Sequence, residues 1–243
     1  MQILVTNDDG YTEGLKILLE VAKKFGDAYA IIPEHQESAV GKGLTLHKTL
    51  RLHNLKEDVY TLNGKPADCV LFSLYSKEFK KPDLVLSGIN FGDNSTLSAI
   101  LGSGTIGACW EATLEGVKAI AFSMHRSSKD WRNKNNWGNK EKITEAVEKI
   151  IKEYLNRIEP DTLLSVNLPN EYSSTTKIVV SHNPQRLRFM TGIEKRSDPS
   201  GMPYYWLHGD FSKSEKDTDL YEVAVNKNIV VTPLTLNFVK DKL

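Results

Sequence analysis

Apolar runs alternate with helical repeats along this chain of 243 residues. The first apolar run, residues 3–5, is followed by Asn7-Asp8-Asp9-Gly10 and then by apolar residues at helical spacing, which predicts a strand, a tight turn and a helix. Such alternation predicts an α/β fold with a mostly parallel sheet flanked by helices. The predicted strands are 2–6, 28–32, 84–86, 119–123, 163–166 and 178–180, and the predicted helices are 12–25, 67–76, 102–115 and 140–157.

Two segments depart from this alternation. Residues 41–60 alternate more weakly and predict hairpin strands, whereas residues 183–216 predict an arm that leaves the core. We expect the arm to be an oligomer contact, because exposed aromatic residues with arginine are typical of interfaces; stacking of a nucleotide base is the alternative. One domain is predicted, with a core at about 1–182, the arm, and C-terminal strands with a β-hairpin and tail at about 217–243. The arm contains Arg186, Arg188, Arg196, three prolines and Tyr204-Tyr205-Trp206.

The composition is that of an ordinary globular protein, 40% hydrophobic and 26% charged. Lys plus Arg and Asp plus Glu both total 31, so no net field is expected to attract a nucleic-acid polymer or a membrane surface. No signal-peptide pattern and no run of about 18 apolar residues occur. Cys69 and Cys109 lack a C-x-x-C spacing, which favours two buried thiols in a reducing compartment. We therefore expect a cytoplasmic protein.

The adjacent carboxylates of Asp8 and Asp9 are the strongest chemical signal in the chain. They follow a buried strand, where an unpaired charge costs several kcal/mol, so a cation or a proton must compensate the pair. Ser38 after the second strand and Asn90 after residues 84–86 are expected at the same carboxyl edge of the sheet. These oxygen donors suit Mg²⁺ or Mn²⁺. The alternative is a structural role, an Asx turn together with a helix cap.

A glycine-rich segment, Gly102-Ser103-Gly104-Thr105-Ile106-Gly107, opens the predicted helix at 102–115. Backbone N–H groups at that helix start are suited to bind a phosphate beside the metal. Close packing of the helix on the sheet is an alternative role for these glycines. The G-x-G-x-x-G pattern is only a weak dinucleotide signal here, because no strand immediately precedes it and no acidic residue follows about 20 positions later.

Two covalent mechanisms receive little support from the motifs. A serine nucleophile is disfavoured because no G-x-S-x-G elbow is present. The strand of aspartyl-phosphate phosphatases ends in D-x-D, whereas Asp8 and Asp9 are adjacent. The different placement of the two carboxylates argues against a covalent aspartyl intermediate without excluding it.

Several motifs together resemble the survival protein E (SurE) family of metal-dependent nucleotidases. The resemblance implies a Rossmann-like core, one divalent cation per subunit, and phosphomonoesterase activity on nucleoside 5′- or 3′-monophosphates. The motifs run in the family's order from end to end of the chain: 3–10 (ILVTNDDG), 33–38 (PEHQES), 64–70 (GKPADCV), 84–94 (LVLSGINFGDN), 102–108 (GSGTIGA), 166–169 (VNLP) and 230–234 (VVTPL).

The resemblance also implies roles for individual residues. Hydrolysis by a metal-activated water is the resulting hypothesis, with Asp9 as the proton-handling group. The implied metal ligands, which agree with the donor set found above, are Asp8, Asp9, Ser38 and Asn90. The residues implied around the phosphate are Asn94, Ser103, Gly104 and Thr105, and those implied in catalysis are Asp8, Asp9, Asn94 and Thr105.

The chain departs from the family pattern at four places. Thr12-Glu13-Gly14 changes the start of the first helix, and Ser38-Ala39 replaces the family's Ser-Gly. Lys65 replaces a threonine and is expected to alter the charge preference for substrate. Ser95-Thr96 replaces Leu-Gly and is expected to reshape the lip of the pocket. Alternative functions are a nucleotide sensor or scaffold without turnover and an aspartyl-phosphate-type phosphatase; a homodimer or homotetramer is expected.

Overall fold

The structure is a computed structural model that describes residues 1–126, 137–186, 191–209 and 214–237. Residues 187–190 and 210–213 of the predicted arm and 238–243 of the predicted tail lie outside the described residues. The helices are α1 (Glu13–Ala22), α2 (Pro66–Tyr75), α3 (Leu97–Gly102), α4 (Gly104–Leu114), α5 (Lys140–Tyr154) and α6 (Asp219–Ala224). The strands are β1 (Gln2–Thr6), β2 (Asp27–Pro33), β3 (Leu52–Lys56), β4 (Val59–Leu62), β5 (Leu84–Phe91), β6 (Lys118–Met124), β7 (Thr162–Leu168), β8 (Ile178–Val180), β9 (Gly192–Ser197), β10 (Pro203–His208) and β11 (Ile229–Thr235).

Nine of the described strands form one sheet in the order β3-β4-β2-β1-β5-β6-β7-β11-β8. All pairings from β4 across to β7 are parallel. β3 is antiparallel to β4, and β11 is antiparallel to β7 but parallel to β8. The predicted α/β fold with a mostly parallel sheet is therefore confirmed.

The sheet is buried on both faces by helices. Ile3 and Val5 of β1 pack in one apolar cluster with α1 and α5, and Leu4 between them packs in a second cluster with α2 and α4. This division follows from the two-residue period of a strand. Cys69 and Cys109 lie buried and unpaired in the second cluster, as predicted. In the part of the chain that the structure describes, no helix is long and apolar enough to cross a membrane.

The strand order reverses at β1, which lies between β2 and β5. Ligands of open α/β sheets bind outside the carboxyl ends of the strands at such a reversal. The carboxyl ends of β1, β2 and β5 meet at this edge, and they carry the segments with Asp8, Ser38 and Asn90. The topology thus positions the predicted site.

The predicted helix at 102–115 differs from the structure at its start, because two helices, α3 and α4, meet at Ser103. The Ser103 backbone is extended, with φ −71° and ψ 125°. Its Oγ accepts a hydrogen bond from the Ile106 N–H at 3.1 Å, and its own N–H donates to the Ala99 carbonyl at 2.8 Å. Ser103 therefore ends one helix and caps the next, since its side chain competes with continuation of the helix.

Strand β5 continues to Phe91 instead of ending near Gly88 as predicted. Gly88 has φ +125°, and a Cβ at that position would lie 2.1 Å from the Phe122 carbonyl oxygen, so a glycine is required. The pairing with β6 shifts register between Ser87 and Asn90 and then resumes. Asn90 consequently lies within β5, where it pairs with Ser123 of β6, and not after the strand.

The two irregular segments are only partly as predicted. Residues 41–51 contain no strand, and pairing begins at β3, which is antiparallel to β4. In the predicted arm, β9 and β10 form a separate antiparallel hairpin. The hairpin is exposed along nearly its whole length. The last strand, β11, returns to the main sheet between β7 and β8.

Hydrogen bonds join the two ends of the arm. The Gln185 N–H donates to Asp219 Oδ1 at 3.0 Å, and Gln185 Oε1 accepts from the Glu215 N–H at 2.9 Å. The Gln185 carbonyl accepts from the N–H of Leu97, the first residue of α3, at 3.0 Å. Asp219 is fully buried. The base of the arm is therefore tied to the core by a buried carboxyl group.

The buried Asp219 carboxyl is expected to make stability depend on pH. Burial, reinforced by the charge of Asp93, raises the pKa of Asp219 from 3.8 to about 7. The native state therefore binds more protons than the unfolded state between these values, so the free energy of unfolding falls as pH rises through them, by up to about 4 kcal/mol. Asp219→Asn keeps an acceptor oxygen and removes this loss. Urea unfolding at pH 5 and pH 8 measures the effect.

We expect Asp219→Asn to be more stable than the unmodified protein at pH 8, with a smaller difference at pH 5. Asp217→Asn is the matched control, because Asp217 is exposed two residues away. Equal pH dependence in the unmodified protein and Asp219→Asn would contradict the prediction.

Candidate active site

Asn7 closes the turn after β1 and Thr12 caps α1, so the side chains of Asp8 and Asp9 serve neither purpose. The Asn7 side chain donates to the Gly10 carbonyl at 2.7 Å and accepts from the Gly10 N–H at 3.1 Å. Thr12 caps α1 by accepting from the Leu15 N–H at 3.3 Å. The turn and the cap of α1 therefore do not require Asp8 or Asp9.

Asp8 is a buried carboxyl group, 5% exposed. Thr105 Oγ1 of α4 donates a hydrogen bond of 2.6 Å to Asp8 Oδ1. Burial, and then the negative charge of Asp9, raises the pKa of Asp8 to about 7, although the Thr105 hydrogen bond acts in the opposite direction. No Lys, Arg or His pairs with either aspartate in the described part of the chain. The site therefore favours an added positive charge.

Asp9 connects the predicted ligands from β2 and β5. Gln36 Nε2 lies 3.0 Å from both Asp9 Oδ1 and Ser38 Oγ. The Phe91 N–H donates to Asp9 Oδ2 at 3.0 Å. Gln36 was not predicted as a site residue; its position in the PEHQES motif, two residues before Ser38, is the signal that would have identified it. The contacts bring Asp9 and Ser38 together.

Asn90, the fourth predicted ligand, lies next to Phe91 near the end of β5. Its Nδ2 donates to the Gly92 carbonyl at 2.7 Å, which fixes the orientation of the amide. The four predicted ligands thus supply carboxylate, hydroxyl and amide oxygens, a hard donor set that fits Mg²⁺ or Mn²⁺. Within residues 1–126 and the other described ranges, no group of three His, Cys, Asp or Glu side chains could hold a metal, so Ser38 and Asn90 are essential to this assignment.

The N-terminus of α4 lies directly against Asp8. A Cβ on Gly104 would come within 2.9 Å of the Asp8 Cβ and 3.0 Å of Val40 Cγ1, so a glycine is needed for this close approach. Thr105, the next residue, makes the hydrogen bond to Asp8. The helix α3, and not a strand, precedes this segment, so the dinucleotide-binding context is missing. A phosphate at the helix start would lie beside the carboxylate pair.

Asn94 is buried beneath this edge of the sheet. Its N–H donates to Asn167 Oδ1 and its Nδ2 donates to Ser123 Oγ, both at 2.8 Å. Its hydrogen bonds thus run to β6 and β7, and the structure shows no direct contact of Asn94 with Asp8. Ser123 and Asn167 were not predicted as site residues, although Asn167 belongs to the VNLP motif. Ser123 and Asn167 lie near the carboxyl ends of the parallel strands β6 and β7, which is the position that could have identified them.

Two departures from the family pattern have structural roles. Lys65 Nζ donates to the Leu44 carbonyl at 3.2 Å, so it supports a loop. Ser95 and Thr96 are fully buried. Ser95 Oγ donates to Asp93 Oδ1 at 2.7 Å, and Thr96 caps α3 by accepting from the Ala99 N–H at 3.2 Å. These residues shape the loop that follows β5.

Comparisons with known proteins identify the family of the chain. The family model described as "Survival protein SurE" matches residues 3–188. The "5′-nucleotidase SurE" of Hyperthermus butylicus is 38% identical over 97% of this chain and 85% of that protein, and that of Thermofilum pendens is 39% identical over 98% and 91%. The crystal structure of the SurE protein from Aquifex aeolicus superposes with a TM-score of 0.80 at 35% identity, covering 99% of this chain and 95% of that one. The chain therefore belongs to the survival protein SurE family.

Proposed function

We propose that this protein is a metal-dependent phosphomonoesterase that hydrolyses nucleoside 5′-monophosphates, and that it accepts 3′-monophosphates as well. The hydrogen bond from Thr105 to Asp8 carries the proposal, because it joins a helix N-terminus suited to phosphate to a buried carboxylate suited to a cation. The relatives named "5′-nucleotidase SurE" support the choice of substrate.

One Mg²⁺ or Mn²⁺ ion per subunit would be held by Asp8, Asp9, Ser38 and Asn90. When bound, the ion lowers the pKa of a water and polarises the phosphate oxygen it contacts. The burial of Asp8 and the like charge of Asp9 support this role, since both effects disfavour the ionised pair without a cation.

The protein groups orient the phosphate and handle the proton. The N–H groups at the start of α4, together with the Ser103 and Asn94 side chains, balance charge on the phosphate oxygens as the ester bond breaks. Thr105 donates its hydroxyl proton to Asp8 and acts by holding that carboxylate in place. Asp9, which is less buried than Asp8 and faces Gln36, is the group proposed to hold the proton that leaves the attacking water. Asp8, held by Thr105, stays fixed.

Asp8→Asn is expected to lower the rate of phosphate release from AMP by at least about 100-fold, because the buried charge that holds the cation is lost. The amide retains an acceptor for Thr105, so the fold should persist. Excess EDTA should also abolish the reaction of the unmodified protein, and Mg²⁺ or Mn²⁺ should restore it. Phosphate release and circular dichroism provide the measurements.

Asp58→Asn is the matched control, since Asp58 is an exposed residue paired with Lys23; it should retain full activity. Full activity in excess EDTA would contradict the metal dependence. Phosphate trapped on Asp8, found by mass spectrometry, would favour the aspartyl-phosphate alternative. Tight AMP binding with no phosphate release would favour a nucleotide sensor.

Thr105→Val is expected to lower kcat by about 100-fold, because the shape is kept and the hydroxyl that bonds Asp8 is removed. Thr105→Ser should retain most of the rate. Thr113→Val is a control on the same helix, where the hydroxyl donates within α4 to the Cys109 carbonyl. Steady-state kinetics with AMP measure the change. Equal rates for Thr105→Val and Thr113→Val would show that the Thr105 hydroxyl does not contribute to catalysis.

We also propose a homodimer or homotetramer that forms through the 183–216 arm and the C-terminal region. The hairpin of β9 and β10 exposes apolar side chains that would be costly to leave in water. Ile193 is 65% exposed, Tyr205 60%, Trp206 58% and Leu207 66%. The proposed occupant of this surface is a second copy of the chain.

Trp206→Asp is expected to shift the protein toward monomer, because it introduces a charge into the proposed contact. Light scattering at assay concentration measures the mass. Leu114→Asp is the control, as Leu114 is 54% exposed at the end of α4 and outside the arm. A monomeric unmodified protein would contradict the assembly.

A cytoplasmic location is part of the proposal. The free and buried Cys69 and Cys109 suit a reducing compartment. The balance of 31 basic and 31 acidic residues gives no support for a nucleic-acid polymer or a membrane surface as a partner.

A further inference from the structure

The loop that carries Ser38, residues 38–45, lies across helix α4 and is named here the Ser38 loop. The Gly41 N–H donates to the Gly102 carbonyl at 2.9 Å. A Cβ on Gly107 would lie 2.2 Å from the Gly41 carbonyl oxygen and 2.9 Å from the Lys42 nitrogen. The loop backbone therefore packs directly on the end of α3 and the first turn of α4.

An ion pair holds this loop to the helix. Lys42 Nζ lies 2.5 Å from Glu111 Oε2. The Glu111 side chain is 7% exposed and that of Lys42 is 34% exposed. Glu115, the residue that follows the end of α4, is also acidic and accepts a hydrogen bond from the Tyr75 hydroxyl. Glu111 is a buried carboxylate, and the Lys42 ammonium is the cation that pairs with it.

The far end of the Ser38 loop is held separately. The Thr45 N–H donates to Asp68 Oδ1 at 2.9 Å, and Lys65 Nζ donates to the Leu44 carbonyl. These bonds connect the loop to the start of α2. The contact of Lys42 with Glu111 consequently acts on the part of the loop that lies nearer to Ser38.

We propose that Lys42 and Glu111 are positioning residues, which hold the Ser38 loop against the phosphate-facing end of α4. Ser38 lies four residues before Lys42, and Val40 between them lies against Gly104. Release of the ion pair would loosen Ser38 from its place beside Gln36 and Val40 from the helix start. The roles given to Ser38 and Gly104 rest on the proposed function, whereas the attachment of the loop does not.

Hydrogen exchange of the peptide spanning 38–45 tests the attachment without any reaction. Lys42→Met and Glu111→Gln should each speed exchange of this peptide, which contains the hydrogen-bonded Gly41 amide, by about tenfold. A tenfold change corresponds to the loss of a contact of about 1.4 kcal/mol. Lys42→Arg should stay near the unmodified rate. Lys23→Met is the matched control, since it removes the Lys23–Asp58 ion pair of 2.7 Å outside the site.

Kinetics with AMP test the consequence for the site. In Lys42→Met and Glu111→Gln, the Mn²⁺ concentration for half-maximal activity should rise about tenfold, as for other groups that orient a metal ligand, while kcat at saturating Mn²⁺ changes less than about twofold. Lys42→Arg should restore the original value. The double variant Lys42→Met/Glu111→Gln should match the single variants, because one interaction is lost in all three.

Unchanged exchange of 38–45 in both single variants would overturn the proposal, as would additive effects in the double variant. A general loss of stability would speed exchange across the whole sheet and would equally count against a local role. If the unmodified protein released no phosphate, the proposed function would fail, and the exchange experiment alone would decide whether Lys42 and Glu111 attach the loop.

Discussion

The burial of the Asp8 carboxyl group against the N-terminus of α4 is the constraint on which the site depends. It requires a residue without a side chain at Gly104, a hydroxyl donor at Thr105 and a helix that is capped at Ser103. It also raises the pKa of Asp8, because burial and Asp9 both oppose ionisation. The fold thus maintains an unfavourable arrangement of charge, which is typical of a binding site and untypical of a group kept for stability.

The structural needs of the turn are met by neighbours of the two acids. Asn7 closes the turn and Thr12 caps α1. Asp9 is held by Gln36 and by the Phe91 amide, which come from the segments after β2 and at the end of β5. Both carboxylates are therefore fixed by residues distant in sequence. The position of Asp9 depends on the packing of β1 between β2 and β5.

Most of the sheet was predictable because continuous apolar runs mark buried strands. Parallel topology also explains why the segments with Asp8, Ser38 and Asn90 follow or end strands at the same edge of the sheet. The division of the predicted 102–115 helix was not predictable, because it depends on a single capping hydrogen bond that the Ser103 hydroxyl accepts. Periodicity also missed the continuation of β5 past Gly88, where an unusual φ lets the pairing resume. Ser123 was not predictable because its role comes from a tertiary contact with Asn94, which a one-dimensional pattern does not contain.

Because the two ends of the arm are joined, the hairpin between them can be replaced by another sequence. Gln185 before the hairpin and Glu215 after it are hydrogen bonded to each other, and Asp219 fastens the same point to the core. The hairpin is therefore an insertion whose two ends already meet. A loop of another length or shape can replace it without moving a strand of the main sheet. The hairpin can thus vary in length or shape while the residues at the edge of the main sheet keep their positions.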